Sequence, residues 1–284
     1  MAEILDGLAL SRLWRSQIKD RVVTLLDCHK VPRFDVLVAS HDPSSLAYVK
    51  MKKLWAEHAG IDCRVHLVDE SWSRVRLLDT IHDLNTDIDV HGILVQHPLS
   101  LHLDELEALS TLHLDKDVDG MSPGSLGLLA ARMPGHRCAT PLGILRLLDH
   151  YQISLKGKHV VVVGCSAILG LPASLMFLER EATVCIAHKY TKNVPELCRE
   201  ADILLTAVGI PEMFKGDWIK PGAVVIDSGY TVQNGKPVGD VEFSSASLVA
   251  SWITPVPGGV GPMTVATLLS NVLDAAERIN GNLS

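Results

Sequence analysis

Tyr48 and Lys52 stand four residues apart in the stretch SSLAYVKMKKLWAEHAGI. At that spacing a phenol and an amine share one face of a helix. With Lys50 and Lys53 the stretch gathers three lysines within four residues. Three solvated ammonium groups are the plain reading of such a run. A chemical use for one of them needs support from the rest of the chain.

A second candidate follows the apolar run HVVVV: the stretch GCSAILGLP, Gly164 to Pro172, reads as a glycine turn that opens a helix. The first amides of such a helix can receive a pyrophosphate. The turn lacks the GxGxxG fingerprint, and glycine at a strand end also serves many turns that hold no ligand. Its place at a first βα turn favours the ligand. A dinucleotide site meets the adenosine ribose at the end of the next strand, where NAD enzymes usually carry an acid. Here that place reads AHKYTKN, and Ala187, His188, Lys189 and Lys192 offer no carboxylate to a ribose hydroxyl. Lysines there suit a 2′-phosphate, so NADP is expected over NAD.

Two other segments are unusual in composition: GILVQHPL (Gly92 to Leu99) and TPVPGGVGPMT (Thr254 to Thr264), the latter with three prolines and three glycines. Glycine-rich turns let backbone approach a flat ligand closely. A tight turn before the last helix explains PGGVG equally well. Likewise Asp119 in KDVDG, Lys116 to Gly120, can be simply a turn-forming acid.

The elements that must position these residues alternate. FDVLVAS (Phe34 to Ser40), the helix around Tyr48, CRVHLV (Cys63 to Val68), a helical run near Val75 to Leu84 and HGILVQ (His91 to Gln96) read strand, helix, strand, helix, strand. That order implies a parallel sheet. Ser44 or Ser45 is the expected N-cap of the first helix and Gly60 its stop. Beyond the turn-rich MPGHRCATPLG, the runs HVVVVG, ATVCIA, DILLTAVG and AVVIDSG suit strands buried on both faces, as in a Rossmann-like sheet. The final GPMTVATLLSNVLDAAERI has helical spacing and is expected to return to the first half.

At 284 residues and 30.9 kDa, with 47% hydrophobic content, the chain accommodates two domains with separate cores. A net charge of -7 gives no electrostatic reason to bind nucleic acid or an anionic membrane. Six dispersed cysteines without a CxxC pair fit reduced thiols in the cytoplasm. No signal-like N-terminus and no long apolar run occurs, so neither secretion nor membrane insertion is expected. Thirteen histidines form no HExxH or other metal-ligand spacing, and no metal is expected.

Together YVKMK, GILVQHPL, KDVDG, TPLGI, GCSAILGLP, PGAVVIDSGY, GDV and ITPVPGGVGPMTVA occur in the order and at the spacings of one family. The chain resembles, along nearly its whole length, the methylenetetrahydrofolate dehydrogenase/methenyltetrahydrofolate cyclohydrolase family, the bifunctional FolD proteins. The resemblance implies two α/β domains. One is a folate-binding catalytic domain of residues 1–120 plus 263–284, and the other a Rossmann-like NADP-binding domain of residues 121–262. It implies catalytic roles for Lys52, Tyr48, Gln96 and Asp119, with Val95, His97 and the turn Pro257, Gly258, Gly259, Val260 and Gly261 lining the same folate cleft. It also implies that Gly164, Cys165, Ser166, Lys189 and Tyr230 hold NADP.

The implied activity is NADP-dependent oxidation of methylenetetrahydrofolate followed by hydrolysis of the methenyl product. Such one-carbon metabolism supplies purine, histidine and methionine synthesis. The implied assembly is a cytoplasmic homodimer joined through the Rossmann-like domains. The chemistry fits the residues. Asp119 can accept both donors on a pterin edge, and Tyr48 can stack on the aminobenzoyl ring. Lys52, its charged form disfavoured by Lys50 and Lys53 and oriented by Gln96, would serve as the acid/base that hydrolysis needs and hydride transfer does not.

Three positions depart from the family pattern. Cys165 stands where relatives carry arginine, so Lys189 is expected to compensate. His97 stands where leucine is usual and can make hydrolysis sensitive to pH. CATP replaces PCTP before LGI, a loop change without catalytic meaning. Two rival readings remain. Tyr48 and Lys52 match the YxxxK pair of short-chain dehydrogenases/reductases, but there the glycine motif comes first. An NADP-binding regulatory protein without chemistry would not need Tyr48, Lys52, Gln96 and Asp119 together.

Overall fold

The computed structural model of the protein describes residues 1–27, 30–39, 43–99 and 102–279. Cys28 and Ser40 lie outside the described residues. The chain opens with β1 (Glu3–Ile4), α1 (Gly7–Asp27), β2 (Arg33–Ala39), α2 (Pro43–Ala59), β3 (Asp62–Val68), α3 (Arg74–Thr86), β4 (Gly92–Val95), α4 (Glu105–Thr111), α5 (Pro123–Ala130) and α6 (Ala139–His150). It continues with β5 (His159–Val163), α7 (Gly170–Glu179), β6 (Thr183–Ala187), α8 (Val194–Glu200), β7 (Ile203–Thr206), β8 (Val224–Asp227), β9 (Thr231–Gln233), β10 (Lys236–Val238), α9 (Phe243–Ala246), β11 (Trp252–Ile253) and α10 (Val260–Ile279).

Two compact units result. One comprises Leu13–Ala139 with the chain from Val265 onward, the other Met1–Arg12 with Thr140–Thr264. In the first, a parallel sheet has the order β3-β2-β4, with Val36 paired to Val65 on one side and to Leu94 on the other. The central strand is buried on both faces, which is why FDVLVA reads as a continuous apolar run. Phe34, Val36 and Val38 face Val49 and Ala56 of α2, Ile18 and Val22 of α1, and Leu268, Leu269 and Val272 of α10. Leu37 and Val95 face Leu77 and Ile81 of α3 and Leu109 of α4. Each such side chain stabilises the fold by about 1.5 to 3 kcal/mol on burial. The C-terminal helix is fixed in register by Asn271, whose Nδ2 donates to the carbonyls of Val118 at 2.8 Å and Arg137 at 3.2 Å.

The second unit is a six-stranded parallel sheet of order β1-β11-β8-β7-β5-β6. Four of these strands are those read from the apolar runs, but β6, at the edge of the sheet, is not buried on both faces as expected: of its residues only Ala187 is buried. The other two, β1 and β11, are two residues each, too short to show any periodicity, and they place the first residues of the chain in this unit. From β5 the chain runs outward to β6, then returns to β7 on the opposite side of β5. In open α/β sheets a ligand binds beyond the carboxyl end of the strand where the order reverses. Here that end is Gly164.

Candidate active site

Helix α2 positions the amine. Val49, Lys52 and Ala56 follow one another at i, i+3 and i+7, and all three are buried, Lys52 to 3% exposure. The lysine therefore belongs to the core-facing stripe while Lys50 points to solvent and Lys53 lies 3.7 Å from Glu57, one turn on. Ser44 and Ser45 fall inside the first turn, since the helix begins at Pro43, so neither is the N-cap; the preceding residue lies outside the described residues. Lys52 Nζ donates to Gln96 Oε1 at 2.9 Å and stands 4.7 Å from the centroid of the Tyr48 ring. Burial holds the Lys52 pKa below the ordinary lysine range, opposed by the charge of Asp119. The expected cause was the neighbouring lysines. They turn outward, and loss of solvent takes their place.

Gln96 and Asp119 reach this amine from two loops. Gln96 follows buried Val95 at the end of β4, where its own amide N–H donates to the Leu37 carbonyl at 2.8 Å. Its Nε2 donates to the His97 carbonyl at 2.9 Å, leaving Oε1 aimed at Lys52. The KDVDG loop is built by its other charged members. Lys116 Nζ donates to the carbonyls of Leu84 and Asp87, and buried Asp117 accepts from the amides of Met121 and Ser122 and from Ser125 Oγ. Asp119 is left half-buried, its carboxyl pushed up by burial and drawn down by the charge of Lys52. Tyr48, Lys52, Gln96 and Asp119 thus converge: an amine and a carboxyl, each favouring the charged form of the other.

The residues expected to hold the dinucleotide sit at the carboxyl ends of β5, β6 and β8. Gly164 has φ +125°, and a Cβ there would lie 2.3 Å from the Ala207 carbonyl oxygen. Only glycine permits that turn. Cys165 and Ser166 are exposed, and α7 begins without a side-chain cap. The Leu171 amide donates to the Ser166 carbonyl at 3.0 Å, position 172 is a proline without an N–H, and the Ala173 amide donates to the Leu169 carbonyl at 2.9 Å, so a phosphate contact falls to the turn before the helix. Lys189 and Lys192 are exposed after β6, with no carboxylate between Ala187 and Asn193. An exposed glycine turn after β5 and cations at the ribose position together fit a 2′-phosphorylated dinucleotide. Tyr230, 63% exposed, follows β8. Its turn is anchored by two acids that the sequence reading did not assign. Asp227 accepts from the amides of Gly229, Asp240 and Val241, and Asp240 accepts from those of Val208 and Gly209. Burial pushes the Asp227 carboxyl up to about 6.

The PGGVG turn belongs to this second unit. A Cβ on Gly7 would lie 1.8 Å from the Gly259 carbonyl oxygen, and the Leu8 amide donates to the Gly258 carbonyl at 2.7 Å. The turn therefore has a packing duty against the start of α1. Pro257 and Gly261 remain exposed, while Gly259 and Val260 are buried.

Comparison with known proteins matches both units. Residues 5–119 match the family model of the tetrahydrofolate dehydrogenase/cyclohydrolase catalytic domain, and residues 138–280 that of the corresponding NAD(P)-binding domain. The chain is similar to the bifunctional protein FolD 1 of Hydrogenovibrio crunogenus, 45% identical over 277 residues, covering 97% of this chain and 98% of that one. It is 46% identical over 281 residues to the bifunctional protein FolD of Moorella thermoacetica, covering 98% and 99%. Among solved structures, the bifunctional FolD enzyme of Campylobacter jejuni superposes with a TM-score of 0.96 at 38% identity, covering 98% and 99% of the two chains. The Trypanosoma brucei enzyme, solved with NADP cofactor and an inhibitor, superposes with a TM-score of 0.93 at 32% identity, covering 98% of each.

Proposed function

The chain belongs to the tetrahydrofolate dehydrogenase/cyclohydrolase family, and from that premise we infer that Lys52 is the acid/base of its hydrolase step. The protein oxidises 5,10-methylenetetrahydrofolate to the methenyl form with NADP and hydrolyses that product to 10-formyltetrahydrofolate. The observation that carries the role of Lys52 is its buried amine, 2.9 Å from Gln96 and within the field of Asp119.

Oxidation needs the methylene carbon held against a hydride acceptor and little else from the protein. Bound NADP supplies that acceptor. The resulting methenyl cation is shared between two ring nitrogens, so no side chain removes a proton in this step, and alignment and exclusion of water dominate. Hydrolysis differs. Water adds to the cationic carbon, its proton passes to Lys52 Nζ, and the same amine returns a proton to the ring nitrogen that leaves. Burial favours the uncharged amine that takes the first proton, while Asp119 favours the ammonium that gives the second. Asp119 receives the pterin edge through both carboxyl oxygens, and Tyr48 stacks on the aminobenzoyl ring. Gln96 orients the amine, and Val95 and His97 complete the folate contacts within this unit.

For the cofactor, the turn of Gly164, Cys165 and Ser166 would receive the pyrophosphate, on the amides of Cys165 and Ser166 because that of Gly164 donates to the Ala187 carbonyl at 2.9 Å; Lys189 would pair with the 2′-phosphate and Tyr230 would contact the nicotinamide end. The folate-binding role is proposed for residues 1–120 plus 263–284 and the NADP role for residues 121–262; the compact units differ from these bounds in that Met1–Arg12 joins the dinucleotide-binding unit and residues 121–139 join the other. The expected result of supplying methylenetetrahydrofolate and NADP to the purified protein is reduced cofactor, followed by methenyl hydrolysis. No reduced cofactor above background at saturating substrate would rule this out.

We also propose that two copies associate through their dinucleotide-binding units in the cytoplasm, and that the product feeds purine, histidine and methionine synthesis. Strand β6 supports association: it is an edge of the six-stranded sheet, and Ile186 on it is 38% exposed. Sedimentation is expected to give a dimer mass, and a monomer at micromolar concentration would contradict it. Free thiols at Cys63, Cys138, Cys165, Cys185 and Cys198 support the compartment. No helix among the described residues is long and apolar enough to cross a membrane.

A further inference from the structure

Glu105, the first residue of α4, spends both carboxyl oxygens on the loop that follows β4. Oε1 lies 2.6 Å from Nδ1 of His97, and Oε2 accepts the Leu99 amide N–H at 2.8 Å. The same loop carries Gln96, whose Nε2 donates to the His97 carbonyl and whose Oε1 accepts from Lys52 Nζ, each at 2.9 Å. Contacts therefore run without a break from Glu105 to the amine. We propose that Glu105 and His97 are positioning residues for the hydrolase step, clamping the loop so that Gln96 presents its carbonyl oxygen, and not its amino group, to Lys52. This role rests on Lys52 acting as the acid/base.

The physical need arises from the glutamine itself. A side-chain amide has an acceptor at one position and two donors at the other, and rotation by half a turn exchanges them. With the donors turned toward Lys52, an ammonium there would lose its acceptor and meet like polarity. The His97 carbonyl prevents that exchange by engaging Nε2, but only while the carbonyl itself is held. Val95 and Leu99 anchor the loop in the core on either side, but His97 and Pro98 between them are exposed, so packing leaves the His97 carbonyl little restraint of its own. Glu105 provides it at two points, one on each side of Pro98. A leucine at position 97 offers no polar atom to the carboxylate, and the clamp would reduce to the single Leu99 contact.

The pair is also sensitive to pH. The hydrogen bond to Glu105 raises the imidazole above its ordinary pKa, and the same bond lowers the carboxyl. Among the described residues, Glu105 from α4 is the charged group bonded to His97; Lys52 from α2 reaches it only through Gln96. The clamp is strongest with imidazolium against carboxylate. It weakens to a single-charge hydrogen bond as pH rises through the raised imidazole pKa, and it weakens again as pH falls through the lowered carboxyl pKa. Hydrolysis should therefore show an alkaline limb that belongs to His97.

The test assays both steps on full-length Glu105→Gln, Glu105→Asp, His97→Leu and Lys52→Met proteins across the range in which imidazole titrates. Glu105→Gln is expected to lower hydrolase kcat roughly three- to tenfold, as weakening one charge-assisted hydrogen bond would. It should lower dehydrogenase kcat less and move the alkaline limb to lower pH. Glu105→Asp should restore the limb, and His97→Leu should abolish it. If the Gln variant fails to fold, the exposed position 97 still decides. Hydrolase profiles of His97→Leu and wild type that superimpose overturn the clamp, as does an equal fall of both steps with the limb unmoved. Near-normal hydrolysis in Lys52→Met would remove the acid/base reading itself. Loss of hydrolysis in Lys52→Met beside an unchanged His97→Leu profile would remove the clamp alone.

Discussion

Lys52→Met is expected to abolish most methenyl hydrolysis while leaving methylene oxidation the less affected step. Methionine keeps the length and apolar stem of the lysine, so the buried stripe of α2 stays filled at a position only 3% exposed. The ammonium is all that disappears. Acid/base assistance is worth about a hundredfold to ten-thousandfold in rate, and that loss should fall on the step that moves protons. Hydride transfer loses only whatever Lys52 contributes to holding the substrate. Two secondary effects set the conditions. Gln96 Oε1 loses its donor, which costs about 1 to 3 kcal/mol if the oxygen stays dry. Asp119 loses the cation that draws its pKa down, so its carboxyl should stay protonated to higher pH than in the wild type. The variant should consequently need more folate at acid pH, and both steps are to be compared where Asp119 is ionised in each protein. Measured on one preparation, hydrolysis close to the wild-type rate would return YVKMKK to a solvated lysine cluster.

Which parts of this molecule can be read from its sequence depends on how each part is held. The strands β2, β4, β5, β7 and β8 are buried on both faces, so their apolar runs announce them. Helix α1 escapes the same reading. Its buried residues Leu10, Ile18, Val22 and Leu25 are interleaved with exposed Leu8, Leu13, Val23 and Leu26, and the stripe is blurred. Strands β1 and β11 are each too short to carry a pattern. In the site, Tyr48 and Lys52 are legible by spacing, and the burial of Lys52 is foreshadowed by Val49 and Ala56 on the same stripe. The cause of its altered pKa is not legible, because charge proximity in sequence is not charge proximity in space: Lys50 and Lys53 turn away. Glu105 carries no signal at all, being one acid among several in LDELEALS; only the fold brings it to His97. Asp227 and Asp240 stand in motifs that the resemblance singles out, yet their shared duty appears only when β8 and the turn after β10 meet.

Lys189→Asp should weaken NADP far more than NAD. Lys189 stands two residues beyond β6, where the adenosine ribose of a dinucleotide is met. Its turn is well defined. The His188 amide donates to Thr191 Oγ1 at 2.9 Å, the Thr191 amide donates to the His188 carbonyl at 2.8 Å, and the Tyr190 amide bonds His188 Nδ1 at 3.2 Å. The Lys189 ammonium rests 5.0 Å from the centroid of the Tyr190 ring, so its direction is restrained as well. At the glycine turn Cys165 is an exposed thiol with no charge to share, which leaves the phosphate to the lysines after β6. A charge-assisted contact of this kind is worth about 1.5 to 3 kcal/mol, or roughly ten- to a hundredfold in affinity, and an aspartate adds repulsion to its loss. NAD has a hydroxyl where NADP has the phosphate, and a carboxylate can accept from it. Its kcat/KM should hold or rise while that of NADP falls by at least tenfold, a divergence read by steady-state assay with each cofactor. An equal fall for both cofactors would mean that Lys189 shapes the turn without recognising the phosphate, and the discrimination would then have to come from Lys192 or from the backbone of residues 165–166.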